Sequence, residues 1–203
     1  MTGTPRKSPA ASDMASAGSE KSVRWALWLP LAIFAGFVAL ALIGMFRPAQ
    51  REVVSAMIGK PLPQFNLPAA TSYRPGLRTA DLADGQPRLL NVFASWCIPC
   101  AVESPQLQQL VAAGAQIDGI AIRDRQGDVE AFLARNGNPF RRIGADDVSA
   151  VQLGIGSSGV PETFVIDGKG IIRYQHIGDI RQEQVPLILQ KLQEAQGTQE
   201  TGQ

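Results

Sequence analysis

The chain has 203 residues, 45% hydrophobic and 18% charged, and 19 basic side chains against 18 acidic ones leave a formal net charge of +1. This is an ordinary globular composition, and so even a charge balance gives no reason to expect nucleic acid or another polyanion as a partner. With two cysteines and one histidine in the whole chain, a four-ligand zinc site lacks the usual cysteine and histidine donors, and no cofactor or resident metal is expected.

Residues from Met1 to about Glu20 are rich in Ser, Ala, Gly and Pro without apolar periodicity, and residues 1–24 are expected to form a disordered N-terminal segment. From Trp25 to Phe46, between Arg24 and Arg47, no charged residue occurs. At 1.5 Å per residue, about 22 residues reach about 33 Å, enough to cross a hydrocarbon core of roughly 30 Å. Residues 25–46 are therefore predicted to form one transmembrane helix. Trp25 and Trp28 fall near the first interface, and Pro30 in the opening turns is tolerated in a membrane helix. A cleaved signal peptide has an apolar region of about 7–15 residues ending at small residues. Here the run ends Gly44-Met45-Phe46-Arg47, which favours an uncleaved anchor. Arg6, Lys7, Lys21 and Arg24 precede the run while Arg47, Arg51 and Lys60 follow it, so charge alone specifies orientation weakly. Residues 47–55 read as a linker, residues 56–195 as one domain by length, and residues 196–203 as a disordered tail. No internal repeat is visible.

Within the domain, strands and helices alternate. Residues 89–94 are a short apolar run of buried-strand type, a helix then carries Leu107, Leu110 and Val111, and residues 117–122 are a second strand. This is a βαβ unit. A further helix over residues 128–135 is stopped by Asn136-Gly137-Asn138-Pro139. Residues 162–166 and 171–176 are strands of a hairpin turning through Asp167-Gly168-Lys169-Gly170. A last helix over residues 184–195, with Leu187, Ile188 and Leu192, closes the domain.

The two cysteines, Cys97 and Cys100, lie in Phe93-Ala94-Ser95-Trp96-Cys97-Ile98-Pro99-Cys100, between the first strand and its helix. In open α/β sheets the C-terminal edge of the strands is where chemistry is expected, because helix N-termini point there. Two cysteines in the opening turn of a helix share one face at a spacing a disulfide can bridge. With the helix starting at Ile98, the sulfur of Cys97 lies beside unpaired first-turn amides and the positive end of the dipole, which favours its thiolate. Cys97 is thus the expected nucleophile and Cys100, one turn further in, the resolving thiol. Pro99 fits the first turn, where its missing N–H costs nothing, and Trp96 is expected to shield one side of the pair while leaving Cys97 open. A purely structural bridge closing so short a ring would stabilise the fold by only about 2 kcal/mol. Cu(I) held by two thiolates remains an open alternative to redox exchange.

Several segments together resemble a known family. They are Gly59-Lys60-Pro61-Leu62-Pro63-Gln64-Phe65, Leu89-Leu90-Asn91-Val92-Phe93-Ala94-Ser95-Trp96-Cys97, Gly137-Asn138-Pro139-Phe140, Gly159-Val160-Pro161-Glu162-Thr163-Phe164 and Asp167-Gly168-Lys169-Gly170-Ile171-Ile172-Arg173-Tyr174-Gln175-His176. In this order behind a single apolar run, they are similar to the DsbE/CcmG group of membrane-anchored, thioredoxin-like thiol:disulfide oxidoreductases of cytochrome c maturation. The resemblance implies an α/β thioredoxin-like fold, a central mixed sheet flanked by helices, with an N-terminal strand extension and a short central insertion. It also implies that Pro161 is cis and faces the dithiol, freeing the backbone of Val160 to pair with an extended substrate. Where thioredoxins proper carry a buried Asp, six positions before the first cysteine, this chain has Asn91, which cannot accept the Cys100 proton. Glu162, Asp124 and Glu103 are the candidate carboxylates for that task, each equally readable as a solvated surface charge. Ala121 and Ile122 stand where relatives are more polar or aromatic. His176 reads as structural.

What the resemblance implies for function is a reductase in a periplasm-like space, with the N-terminus cytoplasmic and the anchor in the inner-membrane lipid. Its clients would be apocytochrome c or the maturation thiol protein that handles it, and its electrons would come from a membrane thiol-reducing transporter. Three other readings stay open: the same chemistry on copper-site thiols during oxidase assembly, a Cu(I) carrier, and a disulfide oxidase. A peroxidase is disfavoured, because Ser95-Trp96-Cys97 does not reproduce a Thr-x-x-Cys pattern.

Overall fold

The computed structural model describes residues 20–46 and 56–200, which belong to two compact units. In the first, helix α1 (Glu20–Phe46) runs 27 residues with Pro30 inside it. It contains the predicted 25–46 and begins about one turn earlier, so residues 20–24, expected to be disordered, are helical. Extending a helix costs far less than nucleating one, which lets the polar stretch join the apolar run. Large apolar side chains such as Trp28, Phe34, Phe37 and Leu40 are exposed. Among the described residues no helix is long and apolar enough to cross a membrane. The side chains described in α1 begin at Trp28 and end at Gly44, so both ends of the charge-free run lie outside them. The expectations for residues 1–19 and 47–55 also fall outside the described residues.

In the second unit, five strands form one mixed sheet in the order β5-β4-β3-β6-β7. The central strand β3 (Arg88–Phe93) pairs parallel with β4 (Ile117–Ile122) and antiparallel with β6 (Glu162–Ile166), and β6 pairs antiparallel with β7 (Ile172–Ile177). All residues of β3, β4 and β6 are buried, which is why these strands read as near-continuous apolar runs in the sequence. Helices α2 (Ile98–Ala112), α3 (Gln126–Asn136) and α5 (Val185–Glu200) complete a βαβαββα frame. That frame is a thioredoxin-like fold, as the resemblance implies.

Two additions decorate the frame. Strands β1 (Asn66–Leu67) and β2 (Leu77–Arg78) form a small antiparallel pair before it, and β5 (Ile143–Asp146) with the short helix α4 (Ala150–Gly154) is inserted between α3 and β6. The small pair packs on β5 at Gly144, where an added Cβ would stand 2.7 Å from Leu67 Cβ. Gly137, at φ 87°, ends α3 in a conformation that favours glycine.

Three helical details differ from the sequence reading. The buried stripe of α2 is Cys100, Glu103, Ser104, Leu107 and Leu110, at offsets of 3, 4, 7 and 10 from Cys100, and Val111, about 100° away from Leu110 around the helix, is 40% exposed. Leu187 is likewise exposed, while Ile188, Leu192 and Ala195 face the core. The tail, expected to lose structure from Gln196, continues α5 through Glu200.

Candidate active site

The loop leaving β3 delivers Trp96 and Cys97 to the C-terminal edge of the sheet. Cys97 is the N-cap of α2, extended at φ −87° and ψ 107°, with Pro99 in the first turn. Cys97 and Cys100 form a disulfide with Cα atoms 5.3 Å apart, and the Cys100 N–H donates to Cys97 Sγ at 3.2 Å. The sequence reading left Cys97 open. Instead it is 5% exposed and Cys100 2%, the Cys97 sulfur being bonded to Cys100 and accepting from its amide, whereas Trp96 is 58% exposed.

Register brings the second half of the site alongside. Val92 of β3 pairs with Glu162 of β6, so the residues just before Glu162 lie at the same edge as the loop after Phe93. The Val160–Pro161 peptide is cis, as the resemblance implies. The Pro161 carbonyl accepts from Gly178 N at 2.9 Å, while Val160, among the described residues, makes no backbone–backbone hydrogen bond.

The three candidate carboxylates occupy different surroundings. Glu103, one turn beyond Cys100, is fully buried. Its Oε1 accepts from Asn91 Nδ2 at 3.0 Å and its Oε2 from the Ile180 N–H at 2.9 Å. Burial pushes its pKa up to about 7; the two donated bonds oppose that rise and the nearby Asp179 charge adds to it. Asn91 Nδ2 also donates to Thr163 Oγ1 at 2.9 Å, so the residue that cannot take a proton orients the one that can. Asn91, Cys100, Glu103 and Ser104 border one small cavity of about 10 Å³, and Asn91 Oδ1 is buried without a hydrogen-bond partner. Glu162 is also buried, accepting from Ser158 N at 2.9 Å, from Ser158 Oγ, and from Gln175 Nε2 at 2.9 Å. Neither of these two is the solvated surface charge it could have been.

Asp124 plays a third part. Its carboxylate accepts from Ser95 N, from Ser95 Oγ at 2.8 Å and from Arg125 N at 3.0 Å, and so ties the loop after β4 to the loop carrying Cys97. Trp96 Nε1 adds a bond to the Arg123 carbonyl at 3.3 Å. Ala121 and Ile122 are buried strand residues, so contacts at this edge come from the loop beyond them. His176, 8% exposed, holds the Asp179 carbonyl at 3.3 Å, in keeping with a structural role. Sequence reasoning missed Thr163 and the Ile180 amide. The amide comes from 77 positions away and has no side-chain signature.

A disulfide-forming Cys-x-x-Cys at a helix N-terminus, on the C-terminal edge of a thioredoxin-like sheet and beside a cis proline, defines a thiol:disulfide oxidoreductase of that fold. Comparison with known proteins narrows the class. Residues 57–192 match the Redoxin family. The chain is 38% identical over 157 residues to the thiol:disulfide interchange protein HelX of Rhodobacter capsulatus, covering 77% of this chain and 89% of that protein. It is 41% identical over 158 residues to the thiol:disulfide interchange protein DsbE of Pseudomonas fluorescens biotype C, covering 77% and 86%. Among solved structures, a Chlorobium tepidum protein assigned as a thiol:disulfide interchange protein DsbE superposes with a TM-score of 0.57 at 27% identity, covering 68% of this chain and 97% of that one. The chain belongs to the DsbE/CcmG family of thiol:disulfide interchange proteins.

Proposed function

We propose that this protein is a membrane-tethered periplasmic reductase, whose clients are the haem-binding Cys-x-x-Cys-His segment of apocytochrome c or the maturation thiol protein that handles it. The reduced enzyme begins as a dithiol. The Cys97 thiolate attacks one sulfur of the client disulfide, forming a Cys97–client bond and expelling the other client sulfur as a thiolate. Cys100 then gives up its proton and attacks Cys97 Sγ, releasing the second client thiolate. The net exchange is two electrons and two protons from enzyme dithiol to client disulfide. A membrane thiol transporter, fed by cytosolic thioredoxin, would restore the dithiol.

The observation that carries this reading is Glu103. A buried carboxylate one turn beyond Cys100, with a pKa pushed up to about 7, is matched to receive the Cys100 proton and return it near neutral pH. Val160 offers backbone groups for an extended client at the same edge, and Trp96 and Pro99 shape the rim. The family relationship supports the client class. The charge-free run 25–46 supports the tether, and an oxidising compartment is where a dedicated reductant has work to do.

The test is the reduction potential of the full chain in detergent, equilibrated against glutathione or dithiothreitol buffers. A value near about −270 mV or lower supports a reductant, whereas one near about −120 mV would make disulfide formation the assignment. Cys97→Ser should abolish turnover and Cys100→Ser should accumulate a client mixed disulfide, read on non-reducing gels.

A further inference from the structure

Beside the dithiol lies an open hollow of about 340 Å³ that the exchange chemistry does not use. Trp96 forms one wall. Arg123, Asp124 and Arg125 on the loop after β4, with Asp128 and Arg135 on one face of α3, form the rest. Among the described residues the guanidinium groups of Arg123, Arg125 and Arg135 make no ion pair and no hydrogen bond. Asp124 is committed to Ser95 and the Arg125 amide, which leaves the exposed Asp128 as the one other acid on the rim. Three guanidiniums against two carboxylates leave one formal positive charge in the lining, enough for a side-chain carboxylate and too little for a polyphosphate.

The hollow is also fixed in place relative to Cys97. Arg123 is held in the left-handed region at φ 45°, a conformation that a non-glycine residue keeps only where its surroundings fix it. Three bonds hold it there: its N–H donates to the Asp146 carbonyl at 3.2 Å, its carbonyl accepts from Trp96, and Asp124 grips Ser95. A group clasped by Arg123 and Arg125 is therefore at a set offset from the sulfur two residues past Ser95. Loosely placed surface arginines would only steer.

We infer that this hollow is a docking site for a carboxylate of the disulfide-bearing partner, so that the enzyme favours clients with an acidic side chain close to the disulfide. This rests on the reading of Cys97 as the thiol that meets the client.

Two synthetic peptides with the same Cys-x-x-Cys disulfide, one flanked by Glu and the other by Gln, separate the two ideas. Each is mixed with the pre-reduced full chain in detergent and the oxidation of the enzyme is followed. At about 20 mM salt the Glu peptide should react about 3- to 10-fold faster, the ratio falling toward one at about 0.5 M salt, where the screening length is only about 4 Å. In the R123Q/R125Q/R135Q variant the Glu-to-Gln ratio should fall to near one at every salt concentration. Equal rates for the two peptides, or a preference that survives in the variant, would overturn the docking site. Should neither peptide be reduced, the reductase reading fails, and the docking site is then judged on binding alone. For that, cysteine-free labelled versions are titrated against the oxidised protein. Tighter binding of the Glu version, lost in the variant, upholds the site, and equal affinities overturn it.

Discussion

Replacing Glu103 by Gln isolates the buried network behind the dithiol from the redox chemistry, provided both proteins are kept oxidised. In the folded protein burial raises Glu103 from 4.5 to about 7. The native state therefore holds a proton that the unfolded chain has already released between those two values. Stability contributed by this group is fully present below about pH 4.5 and is lost as pH rises through about 7. A rise of about 2.5 units, at 1.36 kcal/mol each, makes the loss about 3 kcal/mol. E103Q cannot titrate. It also has one acceptor oxygen for two donors, Asn91 Nδ2 and the Ile180 N–H, which adds a roughly pH-independent cost of about 1 kcal/mol. Urea denaturation of both proteins from about pH 4 to about pH 8 should show the stability of E103Q relative to wild type climbing by about 3 kcal/mol. A difference that stays constant within about 0.5 kcal/mol across that range would refute the reasoning, since it would mean that Glu103 titrates alike in both states.

Two structural predictions concern the rest of the fold. Arg88 and Asp118 are buried together, with 1% and 0% side-chain exposure and an N–O distance of 3.2 Å. Arg88→Ala should cost about 3–5 kcal/mol in urea denaturation by stranding a buried carboxylate, and adding Asp118→Asn should recover part of it. No recovery would show that the loss does not come from the stranded charge. Gly144→Ala places a Cβ 2.7 Å from Leu67 Cβ and 3.1 Å from Leu77 Cβ, for an expected cost of about 1–3 kcal/mol. An unchanged denaturation midpoint would mean that the β1–β2 pair does not bear on β5.

The strands that position the site were legible because they are buried on both faces. Residues 117–122 and 162–166 were predicted with the bounds that β4 and β6 have. The strand inside the insertion, which the resemblance implied only as an insertion, was not. β5 is only Ile143-Gly144-Ala145-Asp146, its two small residues carry no strand signal, and the reason for Gly144 is a contact with Leu67, far away in the chain. Glu103 lies between these cases. The spacing of Cys100, Glu103, Ser104, Leu107 and Leu110 puts it in the inward stripe of α2, so periodicity applied without regard to residue type would have buried it. Its charge hid it. The same stripe would have turned Val111 outward.

That hidden carboxylate completes an asymmetry that the Cys-x-x-Cys spacing only begins. Cys97 caps the N-terminus of α2, where the positive end of the helix dipole lies, and the hollow beside Ser95 and Trp96 carries three arginines. Cys100 lies a turn deeper, in the buried stripe of α2 with Glu103 behind it. In the proposed mechanism the two sulfurs play unequal parts, Cys97 attacking the client disulfide and Cys100 resolving the mixed disulfide. A buried Asp at position 91 would place a second carboxylate within hydrogen-bonding reach of Glu103, and two such acids could not both ionise easily. Asn91 supplies a donor there instead, to Glu103 and to Thr163, so in the proposed mechanism the proton acceptor sits on the helix that carries the dithiol and not on the central strand.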